Sequence, residues 1–354
     1  MLLSVKHTRG GGQMANRKIV HVITNRASYG RVRNILKEIN NTDGLELIIV
    51  KAGAAVDLEI DFEAKYTLHC LVNDDSHVAM VKTASLMANE CSTLFSIIKP
   101  DVVLIHGDRY EQLGVAMAAS YLNIKIAHTE GGETSGCIDD KVRNAITALA
   151  DIHLPVTEKA FMKLHFMNGR NIFKVGSPAI DLCREAVKSD LRHYDDESYI
   201  LVLHHPNTTD KEKIEPMIRV LDRMPVKKIW INSNIDAGSK EMARLFHKTD
   251  WEFRKNLSPK EYYVLLNNCE VAVGNSSSFI KEGAYLGVPV VLVGSRQQSR
   301  EMQENVMLAS DESEQEIENA ISLQIQHERY SASHAYGDGT SSQKIVTILQ
   351  EVSI

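Results

Sequence analysis

The sequence lacks the marks of several protein classes. No apolar run approaches the ~20 residues of a membrane helix, and the opening MLLSVKHTRGGGQ has no uninterrupted apolar stretch like that of a secretory leader. A cytoplasmic chain with no membrane partner is the expectation. Cysteine is scarce: Cys70, Cys91, Cys137, Cys183 and Cys269 are scattered, odd in number and form no CxxC pair. That pattern excludes a disulfide scaffold and fits free thiols in a reducing compartment. Basic excess is missing too, since the net charge is −6, which removes nucleic acid from the expected partners. No internal repeat or low-complexity tract occurs. What remains over 354 residues is 44% hydrophobic and 24% charged, the mixture of a packed globular protein long enough for two cores.

Short β-rich apolar runs alternate with longer helical patterns, the signature of an α/β protein with parallel sheets covered by helices. In the first half the spacing predicts strands at Lys18–Thr24, Leu45–Lys51, Val102–His106, Lys125–His128, Ile152–Val156 and Ile172–Val175, with helices such as Arg31–Ile39 and Asp75–Ile98. The second half restarts the pattern with Tyr199–His204, Lys228–Asn232, Trp251–Arg254, Val271–Gly274 and Pro289–Val293, and helices at Pro259–Asn268 and Ser277–Leu286. The polar stretch KSDLRHYDDES at 188–198 is the expected linker. Residues 1–16 show no periodicity and are expected to be a flexible extension.

Ligands of open α/β sheets bind at the carboxyl ends of strands, so polar residues just after apolar strands are the candidates. Arg26 follows the first strand in a turn entering a helix, where it either holds an anion or sits on the surface beside a cap. His106, Asp108 and Arg109 follow the strand at 102–106. The densest stretch runs from His128 to Asp140, with Glu130, Glu133, Asp139 and Asp140 in it and Arg143 one turn on. Carboxylates crowded at a cleft shift each other's pKa and suit acid–base work; in a solvated loop they would only cap the next helix. His204 and His205 end a second-half strand and invite a metal reading, but adjacent side chains on a strand point apart, so only one reaches a cleft. Ser276, Ser277 and Ser278 open a helix carrying Glu282, which makes an anion site at a helix N-terminus or a serine cap.

The segments HGDRYEQL, AHTEGGETSGCIDDKVRNAI, HHPNTTD, SNIDAGSKEM, VGNSSSFIKEGAYLGVPVVLVGSRQ and YGDG occur in this order. Together they resemble the hydrolysing UDP-N-acetylglucosamine 2-epimerases, and within that family look most like the epimerase domain of the bifunctional epimerase/kinase of sialic acid synthesis. The resemblance runs from about Lys18 to the C-terminus. It implies two Rossmann-like domains of the glycosyltransferase-B type with the active site in the interdomain cleft. The expected divisions are 17–187 for the N-terminal domain with the catalytic carboxylates and 199–354 for a UDP-binding C-terminal domain whose last helix returns to the first.

The implied reaction turns UDP-N-acetylglucosamine and water into N-acetylmannosamine and UDP through a 2-acetamidoglucal, without cofactor or metal, in a homodimer or homotetramer. Matched motif by motif, the implied catalytic residues are Asp108, Glu130, Asp139, Asp140, Arg143 and His205. Those implied to hold the UDP-sugar are Arg26, Arg109, Asn234, Asp236, Ser276, Ser277, Glu282 and Arg296. Two departures stand out: Gly30 replaces a serine near the nucleotide, and His247 replaces an arginine associated with feedback by CMP-sialic acid, although Arg244 matches its neighbour. Relatives acting on 6-deoxy-2,4-diacetamido or GDP-linked sugars, non-hydrolysing epimerases and glycosyltransferases of the same fold are the competing readings.

Overall fold

The computed structural model describes residues 16–74, 76–136, 138–168, 170–188, 197–206, 213–231, 239–255, 257–309 and 311–353. The expected extension (through residue 15), most of the expected linker, Asn234 and Asp236 lie outside the described residues.

The first half forms strands β1 (Arg17–Ile23), β2 (Leu45–Ala52), β3 (Tyr66–Leu68), β4 (Val102–His106), β5 (Lys125–Thr129) and β6 (Ile152–Leu154). Helices α1 (Arg26–Asn40), α2 (His77–Ile98), α3 (Tyr110–Tyr121), α4 (Asp139–Leu149), α5 (Glu158–Asn168) and α6 (Pro178–Lys188) accompany them. The second half forms β7 (Tyr199–Leu203), β8 (Lys227–Ile231), β9 (Glu252–Arg254), β10 (Val271–Gly274), β11 (Val290–Val293) and β12 (Val306–Ala309). Its helices are α7 (Glu215–Arg223), α8 (Ser239–Phe246), α9 (Pro259–Asn268), α10 (Ser277–Leu286), α11 (Glu314–His327) and α12 (Ser341–Glu351).

Each half is a six-stranded parallel sheet, in the orders β3-β2-β1-β4-β5-β6 and β12-β11-β10-β7-β8-β9. Counted from its own first strand, each sheet has the doubly wound Rossmann order, which reverses between β1 and β4 and again between β7 and β10. Strand side chains alternate between faces, and both faces are buried. Ile19, Ile23 and Leu104 pack under α1, whereas Val20, Val22 and Val103 pack with Met87 and Phe95 of α2. The C-terminal α12 contributes Ile345, Val346 and Leu349 to the first of these cores. Buried Asp181 of α6 anchors that helix by accepting the amides of Ser341 (2.9 Å) and Ser342 (2.6 Å).

Three differences from the sequence reading have local causes. The segment expected as a strand at Ile172–Val175 makes a single bridge, Ile172 to His153. It runs beside β6, with the Phe173 amide donating to the His153 carbonyl and the Val175 amide to the Pro155 carbonyl, but Pro155 has no N–H to continue the ladder. The edge strands β3 and β12 are too short to show a period. Helix α1 starts earlier than the apolar pattern does, because Asn25 accepts the Ser28 amide at 2.9 Å as N-cap.

Two buried histidines of the first sheet give a testable consequence. His21 donates to the Leu104 carbonyl (2.9 Å) and His128 to that of Gly107 (2.8 Å), and burial pulls the pKa of each down to about 4. In the unfolded chain a histidine takes its proton near ~6.5. Between those values the unfolded state binds more protons, so stability falls as pH drops from about 6.5 towards 4, by up to about 3 kcal/mol for each ring. His21→Gln and His128→Gln should each lose less stability than the wild type between about pH 7.5 and 5 in urea unfolding. Equal losses would show that neither ring titrates on unfolding.

Candidate functional site

The ends of β1, β4, β5, β7 and β10 meet in one cleft between the sheets. Its inner chamber, about 100 Å³, is lined by Asp108, Glu130, Asp139, His205, Ser277 and Arg296, with Arg31, His106 and Arg300 among the other wall residues. It adjoins a larger cavity of about 670 Å³ whose wall includes Arg26, Tyr262, Ser276 and Glu282. Arg31, Arg109 and His205 belong to both. Residues from five separate sequence clusters therefore share one continuous space.

The carboxylate loop is built on glycine. Gly132 has φ +82°, and a Cβ on it would stand 2.7 Å from the Ala160 carbonyl oxygen of α5, so only glycine lets the loop fold down there. Glu130 itself adopts φ +62°, a left-handed conformation that costs a non-glycine residue of order 1–3 kcal/mol. Its side chain accepts from Ser177 Oγ at 3.0 Å and from Lys281 Nζ at 2.9 Å. Lys281 comes from α10 of the other sheet's domain and also reaches Glu133 at 2.8 Å. Arg300 of the second domain pairs with the same Glu133. The two domains are thus joined through buried opposite charges at the floor of the cleft.

Behind the chamber, Arg143 is 1% exposed, pairs with Asp108 and Asp140, and donates to the Glu133 carbonyl at 3.0 Å. Asp140 also accepts the Ser135 and Gly136 amides, each at 2.8 Å. These two residues orient the loop, whereas Asp108, Glu130 and Asp139 face the space. Burial pushes the Asp108 carboxyl up, but Arg143 and Arg300 overcome it and hold the group at about 2. Burial likewise opposes charge on Glu130, yet Lys281 and then Arg31 hold it well below the usual carboxylate range. His106 is kept neutral chiefly by burial; its Nε2 lies 4.0 Å from Glu130 and has no hydrogen-bond partner among the described residues. Glu282 goes the other way, since burial raises it to about 7 against the pull of Arg31 and Lys281.

The opposite wall is the N-terminus of α10. Ser276 is its N-cap and is spent on Ser278, whose Oγ lies 2.8 Å away. Ser277 then offers its hydroxyl to the chamber, where Arg31 Nη2 donates to it at 3.3 Å. Arg26 also crosses the cleft, donating to the Leu257 carbonyl at 2.6 Å. Gly30 borders the larger cavity with nothing within 4 Å of a would-be Cβ. His247 packs edge-on against Trp230 (5.1 Å between centroids) and Phe253. Among the described residues no three His, Cys, Asp or Glu side chains gather as a metal site.

The sequence reading left Arg31, Lys281, Arg300 and Ser177 out of the site. Lys281 follows Ser277 by one helical turn, which places both on one face of α10; that spacing was the available signal. Ser177 and Arg300 approach through the tertiary fold, and no local pattern marks them.

Breaking a buried ion pair by removing one partner leaves an uncompensated charge, at roughly 3–5 kcal/mol. Lys281→Met should cost about that much in urea unfolding, and adding Glu133→Gln should recover part of it, because one stranded charge is then removed. Additive losses in the double variant would contradict the cross-cleft pairing.

Known proteins place this geometry. A protein-family model described as UDP-N-acetylglucosamine 2-epimerase matches residues 37–350. The chain is 29% identical to a hydrolysing UDP-N,N'-diacetylbacillosamine 2-epimerase of Legionella pneumophila, covering 96% of this chain and 97% of that one. It is 27% identical to a UDP-N-acetylglucosamine 2-epimerase of Neisseria meningitidis, over 94% and 95% of the two chains. Among solved structures it is similar to UDP-GlcNAc 2-epimerase from Neisseria meningitidis bound to UDP-GlcNAc, with a TM-score of 0.80 at 15% identity over 95% of this chain and 100% of that one. The Methanocaldococcus jannaschii enzyme in complex with UDP-GlcNAc and UDP gives 0.78 at 18% identity, again over 95% and 100%. The paired Rossmann-like sheets are the glycosyltransferase-B arrangement, and the chain belongs to the UDP-N-acetylglucosamine 2-epimerase family.

Proposed function

We propose that the protein is a hydrolysing nucleotide-sugar 2-epimerase, converting UDP-N-acetylglucosamine and water to N-acetylmannosamine and UDP and so feeding sialic acid synthesis. The observation that carries this reading is the inner chamber, where two ionised carboxylates face a helix N-terminus across about 100 Å³. Elimination needs both at once. A base takes the C2 proton while the C1–O bond to the departing diphosphate breaks, leaving a C1=C2 double bond. Water then supplies its oxygen to C1, and a proton returns to C2 from the opposite face.

Asp108, Glu130 and His205 are the proposed proton-handling groups, with Asp139 beside them and Asp140 and Arg143 holding the loop. Asp108 and Glu130 are ionised at neutral pH, which makes them acceptors, though Arg31 and Arg300 weaken their basicity. An arriving diphosphate adds negative charge beside those arginines and relaxes that hold. Arg26, Arg109, Arg296, Ser277 and the α10 N-terminus are proposed to bind the diphosphate, with Ser276 fixing the helix start, and Glu282 to accept the ribose hydroxyls. With this much cationic side-chain charge, no metal is needed to balance the phosphates, and no cofactor enters the scheme. The protein is read as cytoplasmic.

A second reading is favoured by the names of two relatives, from Legionella pneumophila and Campylobacter jejuni, as diacetylbacillosamine epimerases. It keeps the chemistry and changes the sugar to a UDP-linked 6-deoxy-2,4-diacetamido hexose.

Turnover of both UDP-sugars in deuterated water, followed by NMR, separates the readings. The expected products are UDP and a free 2-epimerised sugar with deuterium at C2. Asp108→Asn, Glu130→Gln and His205→Ala should each lower turnover at least ~100-fold in folded protein. Near-normal turnover in all three would remove the catalytic assignment, and a product still attached to UDP would identify a non-hydrolysing epimerase.

A further inference from the structure

The YGDG segment, Tyr336–Gly339, lines neither cavity of the cleft, yet a short chain of hydrogen bonds joins it to Glu130. It lies where the chain returns from α11 of the second domain to α12 on the first. Tyr336 is 2% exposed and shares an apolar cluster with Val156 and Ile180 of the first domain and Leu265 and Leu292 of the second. Its hydroxyl donates to the Glu301 carbonyl, beside the Arg300 that pairs with Glu133. Its own carbonyl accepts the Ser177 amide at 2.7 Å. Ser177, wholly buried, then donates its hydroxyl to Glu130 at 3.0 Å.

Glycine makes this seat possible. Gly337 has φ +133°, and a Cβ on it would meet Gly176 Cα and the Ser177 amide nitrogen at 3.3 Å, so the two segments touch backbone to backbone. On the far side Asp338 secures the turn by accepting the Thr340 amide at 3.1 Å and Lys344 Nζ at 3.0 Å. Ser177 is therefore held by main chain, not by flexible side chains.

Glu130 is gripped at one oxygen only. Ser177 Oγ and Lys281 Nζ both donate to Oε1, while Oε2 lies towards the neutral His106, 4.0 Å from its Nε2. Lys281, Arg31, Asp108 and Glu282 also act on this carboxyl through charge, which varies slowly with distance and sets no direction. A hydroxyl hydrogen bond is directional. We infer that the YGDG turn is a positioning device for Glu130: it seats Ser177, whose hydroxyl fixes Oε1 and so presents Oε2 to the chamber. Ser177 and Tyr336 are positioning residues, since neither lines the cleft. The part Glu130 plays in proton transfer rests on the function proposed above; its orientation and ionisation do not.

Ser177→Ala, Gly337→Ala and the double variant test this in the full chain, with Lys281, Arg31, Asp108, Glu282 and His106 unchanged. Ser177→Ala deletes the hydroxyl and keeps the amide that the turn holds. Carbon-13 NMR titration should give a Glu130 midpoint about one pH unit above the wild type's, because a hydrogen bond to the charged form is lost. With UDP-N-acetylglucosamine, kcat should fall about 10-fold while KM moves less than about twofold, and calorimetry should find UDP affinity unchanged. Gly337→Ala, which must displace the turn from Gly176 and Ser177, should raise the midpoint in the same direction. The double variant should match Ser177→Ala alone, because without the hydroxyl the turn has no route to Glu130. A wild-type midpoint in Ser177→Ala, an equal loss of UDP affinity and turnover, or midpoint shifts that add in the double variant would each overturn the inference. The Ser177→Ala titration decides even where Gly337→Ala fails to fold. A wild type inactive on the sugar nucleotide would count against the proposed reaction and leave the titration as the test.

Discussion

Lys281 is where the two halves of the site meet. It rises from the second domain's α10, is almost wholly buried, and stands within 3 Å of carboxylate oxygens of both Glu130 and Glu133 in the first domain. Unit charges about 4 Å apart attract by about 4 kcal/mol at an effective dielectric of ~20, an amount comparable with much of a domain's net stability. The strained backbone at Glu130, the folded-down glycine loop and the approach of α10 are all conditions for that contact. The relation between the domains and the ionisation of the site are consequently one problem with one solution.

The chemistry follows from how differently the cleft treats similar groups. Asp108 sits at about 2 because arginines flank it, while Glu282, more deeply buried and with weaker compensation, sits at about 7. Pairs of titratable groups driven apart by their surroundings are the usual basis for dividing acid, base and binding roles within one site. The cleft also separates space by task. A small polar chamber holds the carboxylates, and the larger cavity beside it has the volume for a nucleotide. Both open from the switch points of the sheets, where loops from oppositely wound strands diverge.

Much of this could be read in the sequence because the strands are short apolar runs with polar ends. The residues following β1, β4, β5, β7 and β10 are all visible as clusters, helix α9 begins where Ser258 and Pro259 place it, and α10 runs between its Ser276 cap and Gly287. What the sequence hid was pairing across distance. Lys281 reads as one more helical lysine until the fold sets it against Glu130, and Ser177 and Arg300 carry no local sign at all. Arg143, expected among the catalytic residues, is buried and paired with both Asp108 and Asp140. The edge strands β3 and β12 carry no sequence signal because a run of three or four residues shows no period, and the apolar run at Ile172–Val175 reads as a strand although Pro155 interrupts its partner.

The central claim is that a lysine from the second domain fixes the charge of a carboxylate in the first. Carbon-13 NMR titration of the Glu130 carboxyl reads this directly. The account predicts a midpoint well below the ordinary ~4.3 of a glutamate in the wild type, and a rise above it in folded Lys281→Met, where burial is left without its main compensation. An ordinary midpoint in the wild type, or the same midpoint in both proteins, would contradict it.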